Sequence, residues 1–113
     1  MTVRYADILK AAIYNQKLVS KTPLAYTRTF SELTQCSVFL KEENFQKTGS
    51  FKIRGAQNKI RQLSSTQKSK GVVAVSAGNH AQGVAYVATQ YGIKSTIVMP
   101  EGTSFAKVSA TRR

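Results

Sequence analysis

The N-terminal part of the chain changes from a helical to an extended hydrophobic pattern. Residues 4–17 predict an amphipathic helix, because their apolar positions follow the i, i+3, i+4 spacing of one buried face. Those positions are Tyr5, Ile8, Leu9, Ala12 and Ile13. Pro23 restricts its own backbone and that of Thr22, so the helical pattern ends before it. Thr29 and Glu32 form a capping-box pattern and predict a second, short helix.

The middle of the chain predicts a strand, a loop and a helix. Residues 38–41 are β-branched and aromatic, which favours a strand, and a polar loop follows at 43–50. The next helix is expected to bury one stripe of apolar residues. That stripe comprises Ile53, Ala56, Ile60 and Leu63.

The C-terminal part alternates strand and helix, which is typical of an α/β fold with a parallel sheet. Residues 72–75 are continuously apolar, as expected for a parallel strand covered on both faces. After a tight turn at 76–79, a helix is expected to end at Gly92. Its predicted buried face comprises Ala81, Val84, Ala85, Ala88 and Tyr91. Residues 96–99 predict another strand, and Thr103 or Ser104 would cap a last helix.

Composition limits the classes of protein to consider. The chain has 113 residues, enough for one small domain, and its single cysteine, Cys36, excludes an intrachain disulfide. No apolar run approaches the roughly 20 residues that span a bilayer, so we expect no membrane partner. The N-terminal residues have no signal-peptide pattern and a single cysteine fits a reducing compartment, so a cytoplasmic location is the default expectation. The formal net charge is +12, which taken alone suggests a polyanion. The basic residues are scattered along the chain, so we expect no nucleic-acid partner and keep a basic nucleic-acid-binding protein as an alternative.

Lys52 is the first candidate for chemistry. It lies in the first predicted turn of a helix, directly after Phe51 and the flexible pair Gly49-Ser50. The positive end of the helix and partial burial both disfavour an ammonium ion there and favour a nucleophilic amine. A helical lysine more commonly lies on the surface with no such role, so position alone does not decide between the two.

The second candidate is a turn between a predicted buried strand and a helix. The segment reads Ser76-Ala77-Gly78-Asn79-His80-Ala81-Gln82-Gly83. Backbone N–H groups at such a turn suit a carboxylate or a phosphate, and Asn79 offers both a donor and an acceptor. A plain helix cap by Ser76 or Asn79 is the alternative. His80 is the only histidine and has no partners at metal-ligand spacing, so we expect no metal site.

These two segments resemble the signature pair of the threonine/serine dehydratase family. The first of the pair is the run Ser50-Phe51-Lys52-Ile53-Arg54-Gly55-Ala56, and the second is the segment 76–83. The resemblance runs from about Thr22 to the C-terminus, and residues 47–56 look most like the catabolic threonine dehydratases. It implies a pyridoxal 5′-phosphate (PLP) enzyme of α/β class. The implied architecture is the three-layer open parallel sheet of the tryptophan-synthase-β type (fold type II), incomplete in this chain.

The resemblance also implies roles for particular residues. Lys52 would form the imine that holds PLP and would later move the substrate's α-proton. Phe51 would pack near the cofactor ring, and Asn79 would hydrogen-bond the 3′-oxygen of PLP. Backbone N–H groups of Ser76, Ala77, Gly78, Asn79 and His80 would bind the substrate carboxylate. The related serine racemases carry a second serine where this chain has Ala77, which favours elimination over racemisation.

The implied reaction converts the amino acid L-threonine to 2-oxobutanoate and ammonia, and L-serine to pyruvate. A serine racemase or another β-eliminating enzyme of the same fold stays an alternative. The family's glycine-rich phosphate loop would lie beyond Arg113. We therefore expect residues 1–113 to be the truncated N-terminal portion of a catalytic domain, inactive alone, from a homo-oligomeric parent enzyme. Threonine catabolism and isoleucine biosynthesis both stay open.

Overall fold

A computed structural model describes residues 2–112, and Met1 and Arg113, the two ends of the expected domain, lie outside this range. Helices and strands alternate along the described chain, except for two successive helices at its centre, and a short 3₁₀ turn lies at Glu43–Phe45. The elements in chain order are α1 (Tyr5–Asn15), β1 (Leu24–Tyr26), α2 (Arg28–Thr34), β2 (Phe39–Lys41), α3 (Lys52–Ile60), α4 (Ser65–Lys70), β3 (Val72–Val75), α5 (Asn79–Gln90), β4 (Ser95–Val98) and α6 (Phe105–Arg112).

The strands of residues 2–112 form two separate pairs. β1 and β2 are antiparallel, with Leu24 opposite Lys41. β3 and β4 are parallel, with Val72 opposite Ser95, and α5 connects them. The predicted strand–helix–strand order after residue 72 is confirmed, and the parallel pair is the part of the expected sheet that lies within these residues.

The hydrophobic core lies between α3, α5 and one face of the β3–β4 pair. Ile53 of α3 and Val87 of α5 are its largest fully buried side chains. The other members of the cluster are Ala56, Ile60, Ala74, Val84, Ala88 and Ile93. The predicted apolar stripes of α3 and α5 are thus confirmed, except that Leu63 is half-buried and Tyr91 is exposed at 39%. This core fixes α3 and α5, the two helices that carry the candidate residues, against each other.

Two predicted apolar surfaces are exposed in the described chain. β3 was expected to be covered on both faces, but Val73 and Val75 are 72% and 76% exposed, because no element of residues 2–112 packs on that face. The helix α1 is confirmed, but its predicted buried face is wrong for these residues. All five positions on that face, Tyr5, Ile8, Leu9, Ala12 and Ile13, are exposed. A periodic apolar pattern indicates which face of an element is suited to burial. It does not indicate which other residues would cover that face.

The predicted capping box of α2 is wrong. The helix begins at Arg28 after Thr27, whose extended backbone ends the preceding segment. Arg28 Nε donates to Glu32 Oε1 at 2.7 Å, so the carboxylate pairs with a side chain four residues earlier. This opposite-charge i, i+4 pair replaces the backbone contact that a cap at Thr29 would need.

No helix among residues 2–112 is both long and apolar enough to cross a membrane.

Candidate functional site

Lys52 is the first residue of α3, and its side chain is exposed. Its Nζ atom lies 4.9 Å from the centroid of the Phe51 ring. Within residues 2–112 this amine has no hydrogen-bond acceptor and no ion-pair partner. The expected partial burial of Lys52 is wrong for these residues, because the next residue, Ile53, takes the buried position against α5. The amine is therefore accessible to a molecule that approaches the first turn of α3.

The turn at 76–80 lies at the carboxyl end of the parallel strands. Ser76 N–H donates to the Val98 carbonyl at 3.0 Å, which extends the β3–β4 pairing by one residue. Gly78 N–H then donates to Ser76 Oγ at 3.3 Å, and α5 begins at Asn79. In open α/β sheets, ligands bind beyond the carboxyl ends of the strands, which is where this turn lies.

The first turn of α5 presents free backbone donors. Gly78 occupies the N-cap position, and no side chain caps the helix, so the plain cap by Ser76 or Asn79 is not formed. Within the described range, the N–H groups of Asn79, His80 and Ala81 have no acceptor. Free N–H groups at a helix N-terminus bind anions, because they combine hydrogen bonding with the positive end of the helix dipole. The side chains of Asn79 and His80 are exposed beside them.

Close packing of α3 against α5 brings the two candidate segments together. A Cβ atom built on Gly83 would lie 3.2 Å from the carbonyl carbon of Lys52. Asn79 precedes Gly83 by one helical turn on the same face, which is about 6 Å along the axis. The sequence predicted both segments, and the structure places the backbone of Lys52 one turn from the start of α5.

An ion pair that the sequence did not predict anchors α3 to the loop before it. Arg54 donates from Nε to Glu43 Oε2 at 2.8 Å and from Nη2 to Glu43 Oε1 at 2.8 Å. Thr22 Oγ1 also donates to the Glu43 carboxylate. The residues are 11 and 21 positions apart in the sequence, and no local pattern connects them. Arg54 and Glu43 both lie within the part of the chain that carries the family resemblance. This was the only feature of the sequence that marked the two residues as important.

A second anchor holds the loop at Gln46, whose side chain is buried. Gln46 Oε1 accepts from Ser20 N–H at 3.0 Å, and Gln46 Nε2 donates to the Ser20 carbonyl at 2.7 Å. This pair of bonds ties the loop to the segment that precedes β1. The loop leads directly into α3. The contacts of Gln46 and Glu43 therefore together fix the position of Lys52, the first residue of that helix.

Replacing Glu43 by glutamine is expected to lower the free energy of unfolding at neutral pH by about 1–2 kcal/mol, a value that allows for solvent screening of the partly exposed pair. The Arg54 guanidinium lowers the pKa of Glu43 from 4.5 to about 2. The carboxylate therefore stabilises the fold above pH 4.5, and this contribution is lost as the pH falls toward 2. Chemical denaturation of the intact protein between pH 7 and pH 3 measures this.

Glu42→Gln is the matched control, because the Glu42 carboxylate has no partner among residues 2–112. We expect it to change the free energy of unfolding at neutral pH by less than about 0.5 kcal/mol. If Glu43→Gln has the same acid slope as the unmodified protein, the ion pair does not contribute as argued.

Comparisons with known proteins cover nearly the whole chain, including both candidate segments. Residues 16–113 match the family model described as pyridoxal-phosphate dependent enzyme. The L-threonine ammonia-lyase of Thermotoga maritima is 53% identical over 106 residues, which are 94% of this chain and 26% of that protein. A catabolic L-threonine dehydratase of Staphylococcus aureus is 50% identical over 111 residues, which are 97% of this chain and 32% of that protein.

Among solved structures, the serine racemase of Dictyostelium discoideum superposes with a TM-score of 0.91 at 40% identity. The superposition covers 99% of this chain and 37% of the racemase. The chain thus spans about a third or less of the length of the two curated relatives. The family match, in contrast, covers most of the chain itself, and the chain belongs to the family of pyridoxal-phosphate dependent enzymes.

Proposed function

We propose that this chain is the N-terminal portion, residues 1–113, of the catalytic domain of a threonine ammonia-lyase. The parent enzyme would convert L-threonine to 2-oxobutanoate and ammonia, and L-serine to pyruvate and ammonia. Support comes from the two relatives at 50–53% identity, both of which are named for action on L-threonine. Because the chain spans only part of those relatives, we assign the activity to the whole enzyme and not to these residues alone.

The observation that carries the proposal is the exposed amine of Lys52, whose backbone packs on α5 one turn from the uncapped start of that helix. An exposed lysine amine with no hydrogen-bond or ion-pair partner is accessible for a covalent bond to the PLP aldehyde. Phe51 is exposed beside it and would pack on the cofactor ring, and the exposed Asn79 carboxamide would hydrogen-bond the 3′-oxygen of PLP. These residues fit the cofactor, and Lys52, Phe51 and Asn79 are the groups that we assign to it.

The turn at 76–80 would orient the amino-acid substrate. Its free N–H groups suit a carboxylate, and we assign this role to Ser76, Ala77, Gly78, Asn79 and His80. PLP, when bound, supplies an electron sink for the negative charge that develops at the substrate α-carbon. Lys52 Nζ would accept the α-proton, and the β-hydroxyl group would take up a proton and leave as water. Hydrolysis by water would then release the keto acid and ammonia.

Serine racemase is the second candidate, favoured by the superposition at a TM-score of 0.91. Racemisation needs a second proton donor on the opposite face of the cofactor. Here the residue after Ser76 is Ala77, which has no exchangeable side-chain proton. The absence of a donor at this position is the reason that we prefer the lyase.

The product distribution tests this choice. With L-threonine, the PLP-reconstituted parent enzyme is expected to release 2-oxobutanoate. With L-serine, we expect pyruvate to exceed D-serine by at least about tenfold, because Ala77 cannot supply the second proton-transferring group that racemisation needs. Keto acid is measured by coupled reduction and D-serine by chiral chromatography. D-serine as the main product would overturn the lyase assignment in favour of the racemase.

We also propose the remaining properties of the parent enzyme. Its partner would be a small amino acid, and neither nucleic acid nor membrane would be bound. The scattered basic residues and the exposed free Cys36 support a cytoplasmic enzyme that does not bind polyanions. A homo-oligomeric state would complete this description, and sedimentation of the parent enzyme measures it.

A further inference from the structure

Gly83 lies in the interior of α5, where helix propensity favours alanine over glycine. Its backbone does not have a positive φ, so conformational freedom is not the reason for glycine here. Gly83 is buried, and the atoms closest to a Cβ built on it are backbone atoms of the neighbouring helix α3. The requirement for glycine at this position is therefore one of space.

The atoms that a side chain would meet belong to the candidate catalytic lysine and the residue after it. The Cβ would lie 3.2 Å from Lys52 C, 3.3 Å from Lys52 O and 3.2 Å from Ile53 N. These contacts are tighter than ordinary van der Waals distances, so a methyl group would push the two backbones apart by a few tenths of an ångström. The backbone at the first turn of α3 cannot rotate away as a flexible side chain would.

We infer that Gly83 is a positioning residue, which sets the distance between the Lys52 amine and the start of α5. This inference rests on the proposed role of Lys52. The contact acts at the one point where α3 begins, and it lies one turn from Asn79 along α5. Displacing Lys52 there moves the amine relative to the groups that would hold the cofactor ring and the substrate carboxylate. Catalytic groups need to be held within about 0.5 Å, so even a small shift matters.

The test is a PLP titration of the intact parent enzyme that carries Gly83→Ala, read by visible absorption. We expect the variant to bind PLP about tenfold more weakly and its visible band to shift in wavelength. We also expect kcat to fall about tenfold while KM changes less than about threefold, because the proton-transferring amine is displaced relative to the start of α5, whereas the carboxylate donors keep their arrangement within one turn.

Val87→Ala is the control for a purely structural effect. Val87 is fully buried one turn further along α5, so its truncation destabilises the same helix without pressing on Lys52. We expect Val87→Ala to lower Tm and to leave the PLP affinity and the band unchanged. If Gly83→Ala behaves as Val87→Ala does, Gly83 serves packing alone and the inference is wrong.

A second variant covers the case in which Gly83→Ala does not accumulate as folded protein. Gly55 is an interior glycine of α3, and a Cβ there would meet nothing within 4 Å in the described chain. Gly55→Ala is therefore expected to stabilise α3, and the double variant Gly55→Ala/Gly83→Ala is titrated against Gly55→Ala alone. Absence of a visible band in the unmodified enzyme would instead refute the proposed function. An unaltered band in both Gly83 variants would refute only the positioning role.

Discussion

Lys52→Ala in the intact enzyme is expected to abolish the visible absorption that appears on addition of PLP. Keto-acid release from L-threonine should fall by at least about 1,000-fold, because the same amine would hold the cofactor and move the α-proton. The reason is local to the structure, since the amine is exposed at the start of α3 and has no hydrogen-bond or ion-pair partner among residues 2–112. Absorption spectra and a coupled keto-acid assay measure the two effects.

Two further variants test whether the effect depends on the primary amine of Lys52, rather than on its positive charge or on the helix that carries it. Lys52→Arg keeps a positive charge but lacks a primary amine, so we expect the same loss of absorption and activity. Lys59→Ala removes an exposed lysine from the last turn of the same helix, and it should leave both unchanged. Survival of the visible band in Lys52→Ala would show that another amine holds the cofactor.

The elements that carry the two candidate turns were predictable because their patterns are short-range. The apolar stripe of α3 and the run of β3 contain enough information to place the Lys52 turn at a helix start and the Asn79 turn at a strand end. Both placements are confirmed. The close approach of the two turns is a tertiary property, and the glycine that permits it, Gly83, is an unremarkable residue within a predicted helix.

The anchoring of the loop before Lys52 could not be predicted from the sequence. Arg54 and Glu43 are separated by 11 residues, and Gln46 and Ser20 by 26, so their contacts depend on how the chain folds back. From the sequence alone, many other charged and polar side chains of this chain could form such ion pairs and hydrogen bonds equally well. Only the fold selects Glu43 as the acid that shares its carboxylate between Arg54 and Thr22.

Burial was predicted less well than secondary structure. The apolar pattern of α1 and of β3 identifies faces suited to burial, but residues 2–112 leave Ile8 and Val73 exposed. The same pattern in α3 predicts burial correctly, because α5 is the neighbour that covers it. A hydrophobic stripe thus predicts a core residue only when the covering element lies in the same stretch of chain.

The core contact beside Lys52 makes Ile53 the residue whose truncation should cost the most stability. Ile53 is fully buried between α3 and α5. We expect Ile53→Ala to lower the free energy of unfolding by about 2–5 kcal/mol, because it removes buried methyl groups and leaves a cavity. Ile53→Val, which removes one methylene group, should cost only about 0.5–1.5 kcal/mol. Chemical denaturation of the intact protein measures both changes.

The two substitutions of Ile53, compared with one on the exposed side of α3, distinguish a loss of packing from a nonspecific destabilisation of the helix. Lys59→Ala, on the exposed side of the same helix, is expected to change the free energy of unfolding by less than about 0.5 kcal/mol. A smaller cost for Ile53→Ala than for Ile53→Val would contradict the packing of α3 on α5. Since that packing also places Gly83 against the Lys52 backbone, the stability of this contact and the position of the reactive amine depend on the same pair of helices.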